Sequence, residues 1–515
     1  MKLYSCAQMR EIDRHVIEDL GVPGAILMSN AAAHIAAAAL ECLSPGGHAA
    51  VICGTGNNGG DGIGAASFLM EKGVHVRVFL LGSEEKLTPD SREMLRRLTA
   101  SGGKLEIFGE SYGVEGYLAQ CDVIIDAIFG IGLNSDLRGY ALMAVKMMNS
   151  SGVRIVAADI PSGVDGDTGI IMGDAVNADI TVTFSLAKPG HFIEPGCTKR
   201  GDLRVCDIGI PEDILNSSGS DVFAVMPEDI TLQTRRPVSH KGDYGRCLIA
   251  AGSVGYTGAP ALCGRAASKM GAGLVFLGVP EQIYGIMAVK LDEEMPFPLP
   301  SDGNGRLAAN AAGELVRRAE GCDVLLIGPG LGRSKEITEL VTSMIRIIKT
   351  PIILDADGIN AIADSTDVLG KAVCPLIITP HPGEFVRLTG GIPYGDRLSA
   401  ARDFARANRC TLVLKGHRTI TALPDGSAYI NITGGPAMAK GGSGDVLAGM
   451  IAALVGQRFP IKDAVLTSVY LHGLAGDMCA AEYGDYSVIA SDIIAMLPKA
   501  IKKSREGRGE GRELR

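Results

Sequence analysis

"GGSGDVLAG" (441–449) sets glycines and a serine ahead of one carboxylate, Asp445, and runs on through "MIAALVG" (450–456), whose Ala, Leu and Ile positions can pack as a helix. Free N–H groups at a helix start bind anions, and missing side chains let a phosphate approach closely. A second negative charge there would weaken phosphate binding unless it serves the other reactant. Asp445 stands where a carboxylate can take the proton from a hydroxyl that attacks a terminal phosphate. A Gly-rich turn before a helix is also compatible with a plain turn, and this spacing is neither a Walker A loop nor a G-x-G-x-x-G after a strand.

Upstream lie "RCLIAAG" (246–252), "GLVFLGVP" (273–280), "CDVLLIGPG" (322–330), "PIILDADG" (351–358), "LIITPHPGE" (376–384) and "TLVLKG" (411–416). They read as buried strands ending in Gly or Pro, where α/β folds place their ligands. The first half repeats the rhythm with "AAVIC" (49–53), "VHVRVFLL" (74–81), "CDVIIDAIFG" (121–130), "VRIVAADIPSG" (153–163) and "DITVTFS" (179–185). Alternation with helical patterns predicts mostly parallel sheets. "PEDILNSSGSDVFAVMPED" (211–229) is polar, turn-rich and without clear periodicity, so it reads as a domain junction. The expected division is 1–217 and 226–503, with a disordered tail over 504–515. No internal repeat stands out.

Composition agrees with two α/β domains. The 515 residues exceed one ordinary core, and with 46% hydrophobic residues, no Trp and 5% aromatics the cores must be aliphatic and Ala-rich. A net charge of -9 excludes nucleic acid as the main partner and leaves small molecules. Twelve Cys without a C-x-x-C pair point to reduced thiols. With no apolar signal segment and no span of membrane length, the chain is expected to be cytoplasmic and not to enter a membrane. A homo-oligomer is expected.

In the first half, "CGTGNNGGDGIGAASFLMEKG" (53–73) follows a strand and opens a helix. Gly54, Gly56 and Gly59 satisfy G-x-G-x-x-G, yet Asn57, Asn58 and Asp61 crowd the loop with oxygens, and "VHVRVFLLG" (74–82) offers no acidic residue to a ribose. Asp126, Asp159 and Ser162 stand at further strand ends. Taken singly, each is compatible with a helix cap or turn former. Together, oxygen donors without Cys or clustered His suit a hard cation, and the Gly-rich loops suit phosphate.

These motifs carry a resemblance. "GGSGDVLAG" with "YTGAPALCGRAASKMGAGLV" (256–275), "IGPGLGR" (327–333), "LDADGIN" (354–360), "TPHPGE" (379–384) and "LKGHRT" (414–419) resembles the ribokinase-like branch that dehydrates hydrated NADH and NADPH with ADP or ATP. The resemblance implies Asp445 as the base and the amides of Gly441, Gly442, Ser443 and Gly444 on the transferring phosphoryl group. It further implies nucleotide contacts from Lys415, Gly416, His417, Arg418, Thr419, Gly435, Ala439 and Lys440, and substrate contacts from Ala261, Gly330, Gly332 and His381. Glu384 is expected to hold Mg²⁺ through water.

"NNGGDG" (57–62), "DAIFGIGL" (126–133) and "DIPSGVDGDTG" (159–169) resemble the NAD(P)HX epimerase, or YjeF N-terminal, domain. That resemblance implies potassium on Asn58, Asp126 and Ser162, with acid–base work at Asp159. The hydrated dinucleotide would contact Asn57, Asn58, Gly59, Gly60 and Asp61, and Gly130, Ile131, Gly132, Leu133, Asn134, Ser135 and Asp136. Potassium does not follow from the residues alone, since sodium or water would accept similar ligands. The implied folds are a Rossmann-like three-layer α/β/α domain followed by a ribokinase-like α/β domain. As a whole the chain is similar to the bifunctional NAD(P)H-hydrate repair family, with NADHX, NADPHX and ADP as its small-molecule partners; the fused arrangement resembles members that use ADP, with ATP possible. The rival reading is a vitamin or hydroxymethylpyrimidine-type kinase carrying a non-catalytic nucleotide-binding module.

Overall fold

A computed structural model describes residues 1–217, 219–390 and 395–509. Of these, the residues between 2 and 222 form one compact unit, and those between 223 and 509 with Met1 form another.

The first unit is built on seven parallel strands in the order Leu105–Ile107, His75–Leu80, His48–Cys53, Val123–Ala127, Arg154–Ala158, Ile180–Phe184 and Asp202–Cys206. The order reverses between His48–Cys53 and Val123–Ala127, and the crevice beyond the carboxyl ends at such a reversal is where doubly wound sheets bind ligands. The loop from Cys53 into the helix Asn57–Glu71 lies on one side of this crevice and the Asp126 loop on the other. A β-carbon at Gly59 would stand 1.8 Å from the Gly54 carbonyl oxygen, so this tight turn admits glycine alone.

The second unit orders its strands Val222–Val225, Ala428–Asn431, Ile420–Ala422, Thr411–Leu414, Leu376–Ile378, Ile352–Leu354, Val324–Ile327, Arg246–Ala250, Leu274–Pro280 and Met295–Leu299. From Thr411–Leu414 to Met295–Leu299 all pairs are parallel, and the hairpin through Ile420–Ala422 to Ala428–Asn431 is antiparallel. Here the order reverses between Arg246–Ala250 and Val324–Ile327. The helices Ser443–Gly456 and Gly258–Lys269 cross closely, because a β-carbon at Gly449 would stand 2.2 Å from the Cys263 carbonyl oxygen. The buried core around them is aliphatic and rich in alanine, and all twelve cysteines are free thiols.

The stretch 211–229, expected to be a domain junction, holds the helix Glu212–Ser217 and the strand Val222–Val225. "VFAV" (222–225) is too short to show a period, and sheet pairing gives it the strand form. The tail expected to be disordered from 504 instead continues the helix Ala490–Gly509, while 510–515 lie outside the described residues. Among the described residues no helix is long and apolar enough to cross a membrane.

Candidate active sites

In the first unit the strand-end loops share one space. Asp126 is fully buried; burial pushes its carboxyl up to about 6, against hydrogen bonds from Ser162 that favour the charged form. Its oxygens accept the Ser162 hydroxyl at 2.6 Å and the Ser162 amide at 2.8 Å. Ser162 Oγ also accepts the Phe129 amide at 2.9 Å. Asn58, in the first turn of its helix, has both side-chain polar atoms buried without a hydrogen-bond partner.

Asp159 follows the strand Arg154–Ala158 and adopts a φ of 64°, a left-handed backbone conformation that non-glycine residues keep only when their surroundings enforce it. The enforcement is visible. The Asp159 amide donates to the Val182 carbonyl at 2.7 Å, and its own carbonyl accepts His191 Nε2 at 2.9 Å. His191 Nδ1 accepts the Lys188 amide at 3.1 Å, which assigns the ring proton to Nε2. Burial, with Lys188 beside it, takes the His191 pKa down to about 3, so the ring stays neutral.

The two oxygens of Asp159 have different surroundings. Oδ1 accepts Lys188 Nζ at 2.5 Å and Thr183 Oγ1 at 3.0 Å. A β-carbon at Gly130 would stand 2.8 Å from Oδ2 and 3.0 Å from Asn58 Oδ1, so these two oxygens look over the bare face of Gly130. Burial disfavours the Asp159 charge, but the Lys188 ammonium outweighs burial and holds the carboxyl below its ordinary value. Asp61 goes the other way: burial, then Asp159 and Asp13, push it well above the carboxylate range. Asn57 Oδ1 accepts Thr88 Oγ1 at 2.7 Å, and Gly132, Asn134, Ser135 and Asp136 are exposed on the loop that continues from Gly130.

In the second unit Asp445 sits half-buried in the first turn of Ser443–Gly456. Burial and then Asp355 raise its pKa to about 7, Asp357 adds to the rise, and Lys415 opposes it. Asp355 Oδ1 accepts Lys415 Nζ at 2.6 Å and Thr379 Oγ1 at 2.7 Å. A β-carbon at Gly444 would lie 3.3 Å from that ammonium, so Lys415 reaches the glycine loop itself. Burial disfavours the Lys415 charge, yet Asp355 and Glu384 outweigh burial and raise its pKa. Asp357 Oδ2 accepts the Gly332 amide at 2.8 Å, and the Gly330 carbonyl accepts Ser253 Oγ at 2.7 Å, which ties the Gly330–Gly332 loop to this centre. Ala261 lies buried in the adjoining helix Gly258–Lys269.

The remaining expected residues are placed as follows. His381 Nδ1 accepts the Gly383 amide at 2.9 Å while Glu384 Oε2 accepts the His381 amide at 2.8 Å, so the two close the start of the helix Pro382–Leu388 on each other. Arg418 donates to the Ile432 carbonyl beyond the strand Ala428–Asn431, Thr419 Oγ1 donates to the Gly416 carbonyl within its own turn, and His417 is exposed. Lys440 Nζ donates to the Tyr486 carbonyl at 3.3 Å, and the Gly435 carbonyl accepts the Met438 amide. Sequence reading assigned no role to Lys188, Thr183, His191 or Asp355. Asp355 carried the same signal as Asp126, a carboxylate ending an aliphatic run; Lys188 carried only the oddity of a lysine inside "TFSLAKPGHF" (183–192).

Two α/β units, one with a lysine-clamped aspartate at a strand's carboxyl end and one with a glycine loop beside an Asp–Lys–Asp centre, define a two-site enzyme. Residues 24–190 match the family model of the YjeF-related protein N-terminus, and residues 247–499 match that of the NAD(P)H-hydrate dehydratase. The bifunctional NAD(P)H-hydrate repair enzyme Nnr of Thermofilum pendens is 39% identical over 98% of this chain and 97% of its own length. The enzyme of the same name from Moorella thermoacetica is 39% identical over 98% of each chain. Among solved structures, the ADP/ATP-dependent NAD(P)H-hydrate dehydratase from Bacillus subtilis, co-crystallised with ATP/Mg²⁺, is 33% identical and covers 55% of this chain and 99% of its own, with a TM-score of 0.48. The chain belongs to the family of bifunctional NAD(P)H-hydrate repair enzymes.

Proposed function

We propose that the first unit interconverts the R and S forms of hydrated NADH and NADPH, and that the second restores the S form to NAD(P)H at the expense of ADP. The observation that carries this reading is the pair of independent acid–base centres, Asp159 and Asp445, each beside glycines of a loop in its own unit.

Hydration places a hydroxyl on C6 of the nicotinamide ring, next to the ring nitrogen. Hydroxide leaves poorly and phosphate leaves well. Asp445 takes the hydroxyl proton as the oxygen attacks the terminal phosphoryl group of ADP, which departs as AMP; the amides at Gly441 to Gly444 and the Lys415 ammonium stabilise the charge that develops. The nitrogen lone pair then expels phosphate, loss of a C5 proton restores the dihydropyridine, and the sum is hydrate plus ADP giving NAD(P)H, AMP and phosphate. Mg²⁺ would supply charge neutralisation on the nucleotide phosphates. Glu384 fits at most an outer contact through water, because one of its oxygens already accepts the His381 amide. In the first unit Asp159, held ionised, takes the C6 hydroxyl proton as the C6–N bond opens, leaving an aldehyde at C6 and passing the proton to the ring nitrogen; after rotation the nitrogen adds to the other face of the aldehyde and Asp159 returns the proton to the oxygen, so that the centre inverts.

Potassium would take the Asn58 side-chain oxygen, buried without a hydrogen-bond partner, with the paired Asp126 and Ser162 as its further ligands. It would offset phosphate charge and fix the Asn57–Asp61 and Gly130–Asp136 loops.

The test incubates the purified chain with mixed R and S hydrates and ADP or ATP, in potassium and again in sodium, followed by absorbance and chiral separation. Both epimers are expected to disappear with return of the reduced-nicotinamide absorbance, the R form more slowly in sodium. A phosphorylated product that persists would favour the vitamin-type kinase instead, and an R form that never declines would leave the first unit as a binding module.

A further inference from the structure

The first unit buries a lysine whose role lies in the reaction. Lys188 is 1% exposed, a setting lysine adopts almost only when paired. Its Nζ donates to Asp159 Oδ1 at 2.5 Å and to Thr183 Oγ1 at 2.9 Å, and Thr183 Oγ1 itself donates to Asp159 Oδ1 at 3.0 Å. Both contacts fall on one oxygen of the carboxylate. The other, Oδ2, is turned to the bare face of Gly130 alongside Asn58 Oδ1. The backbone repeats the clamp: the His191 ring bridges the Lys188 amide and the Asp159 carbonyl, tying the lysine's loop to the left-handed turn that aims the aspartate.

Other titratable groups face the same carboxylate. Asp61 from the helix Asn57–Glu71, Asp13 and Cys6 from the helix Cys6–Arg14, and the neutral His191 all act on it or feel it. Lys188 is the cation among them. Without it the cluster gathers carboxyl groups in a buried space, where they hold protons instead of taking them.

We propose that Lys188 is the positioning residue of the epimerase site: by clamping Oδ1 with Thr183 it leaves Asp159 a single free, charged oxygen directed over Gly130 to the C6 hydroxyl. This rests on the reading of Asp159 as the acid–base group of that site. A lysine placed only to support the fold could accept any neutral replacement that fills its volume. A lysine that sets the direction and charge of the base could not.

Lys188→Met in the full chain keeps the length and removes the charge. The expected result is a fall in kcat for R-to-S interconversion of about 10²-fold or more, with KM within about twofold of the parent, since the loops proposed to bind the dinucleotide are untouched, and with dehydration of the S form unchanged. Thr183→Val, which removes the second half of the clamp and no charge, is expected to lower the same kcat by several-fold, again without a change in KM. Lys188→Met with a parental kcat, or with a raised KM alone, overturns the proposal. Should Lys188→Met lose its folded circular-dichroism spectrum, Thr183→Val decides, and a parental kcat there overturns it equally. Asp159→Asn keeps the two failures apart: if that variant still epimerises at the parental rate, the reading of Asp159 has failed, whereas an inactive Asp159→Asn beside an unaffected Lys188→Met leaves that reading standing and removes only the clamp.

Discussion

Asp445 stands between opposing neighbours, and its protonation near neutral pH follows from them. Burial and Asp355 raise its pKa to about 7, while Lys415 pulls the other way. A base must be deprotonated to work, so dehydration is expected to climb with pH along an acidic limb near 7. Asp355→Asn removes the carboxylate that does most after burial to raise Asp445, and it frees Lys415 to face it. Both changes favour the charged form, so the limb should move to lower pH; a kcat profile that stays put would show that Asp355 does not reach the base. Asp445→Asn should cost dehydration about 10²- to 10⁴-fold while ADP binding survives. The two positions proposed for acid–base work stand out in the sequence because each lies just where an apolar or glycine run stops. Lys188 was not. Its partner lies 29 residues away, and only the pairing of Ala157 with Thr181 and Ala158 with Val182 carries Thr183 and its loop to Asp159. A lysine within an apolar stretch reads the same whether it reaches water or is buried.

Among the elements, the glycines of the second unit divide by what surrounds them. Gly449→Ala would gain helix propensity of about 1 kcal/mol yet drive its β-carbon to 2.2 Å from a backbone oxygen of Cys263, which has no rotamer to yield. Overpacking of this kind costs about 1 to 3 kcal/mol, so the variant should unfold at lower denaturant. Gly313, inside the helix Ala312–Ala319, has open space where a β-carbon would go, and Gly313→Ala should stabilise by about 0.5 to 1 kcal/mol. Equal shifts of the midpoint for both would contradict the close crossing of the helices. The strands foreseen from apolar runs are the central ones, buried on both faces. Those missed lie toward the sheet margins: Met295–Leu299 carries Pro296 and Pro298, a composition only an edge strand tolerates. The hairpin strands Ile420–Ala422 and Ala428–Asn431 are too short to show a period, and pairing gives them their form.

For the molecule as a whole, each proposed activity has its own core, loops and charged centre within one compact unit. Asp159→Asn is therefore expected to abolish epimerisation and leave the S form's dehydration at its parental rate, and Asp445→Asn to do the reverse. Chiral separation of the remaining hydrate reads both at once. Parallel loss of the two activities in well-folded variants would mean that the sites depend on each other.

The bare face of Gly130 bears on what such a chain does to a cofactor pool. Asp159 Oδ2 and Asn58 Oδ1 stand within 3.0 Å of the place a β-carbon would occupy there, so even a methyl group fills the space proposed for the hydroxyl without altering a single charge. A chain carrying Gly130→Ala would still clear one hand of the damaged coenzyme as fast as ADP allows. The other hand would drain only at the pace of its unaided isomerisation, a slow reservoir behind a fast outlet, and the throughput of repair would hang on one added methyl group rather than on the step that consumes the nucleotide.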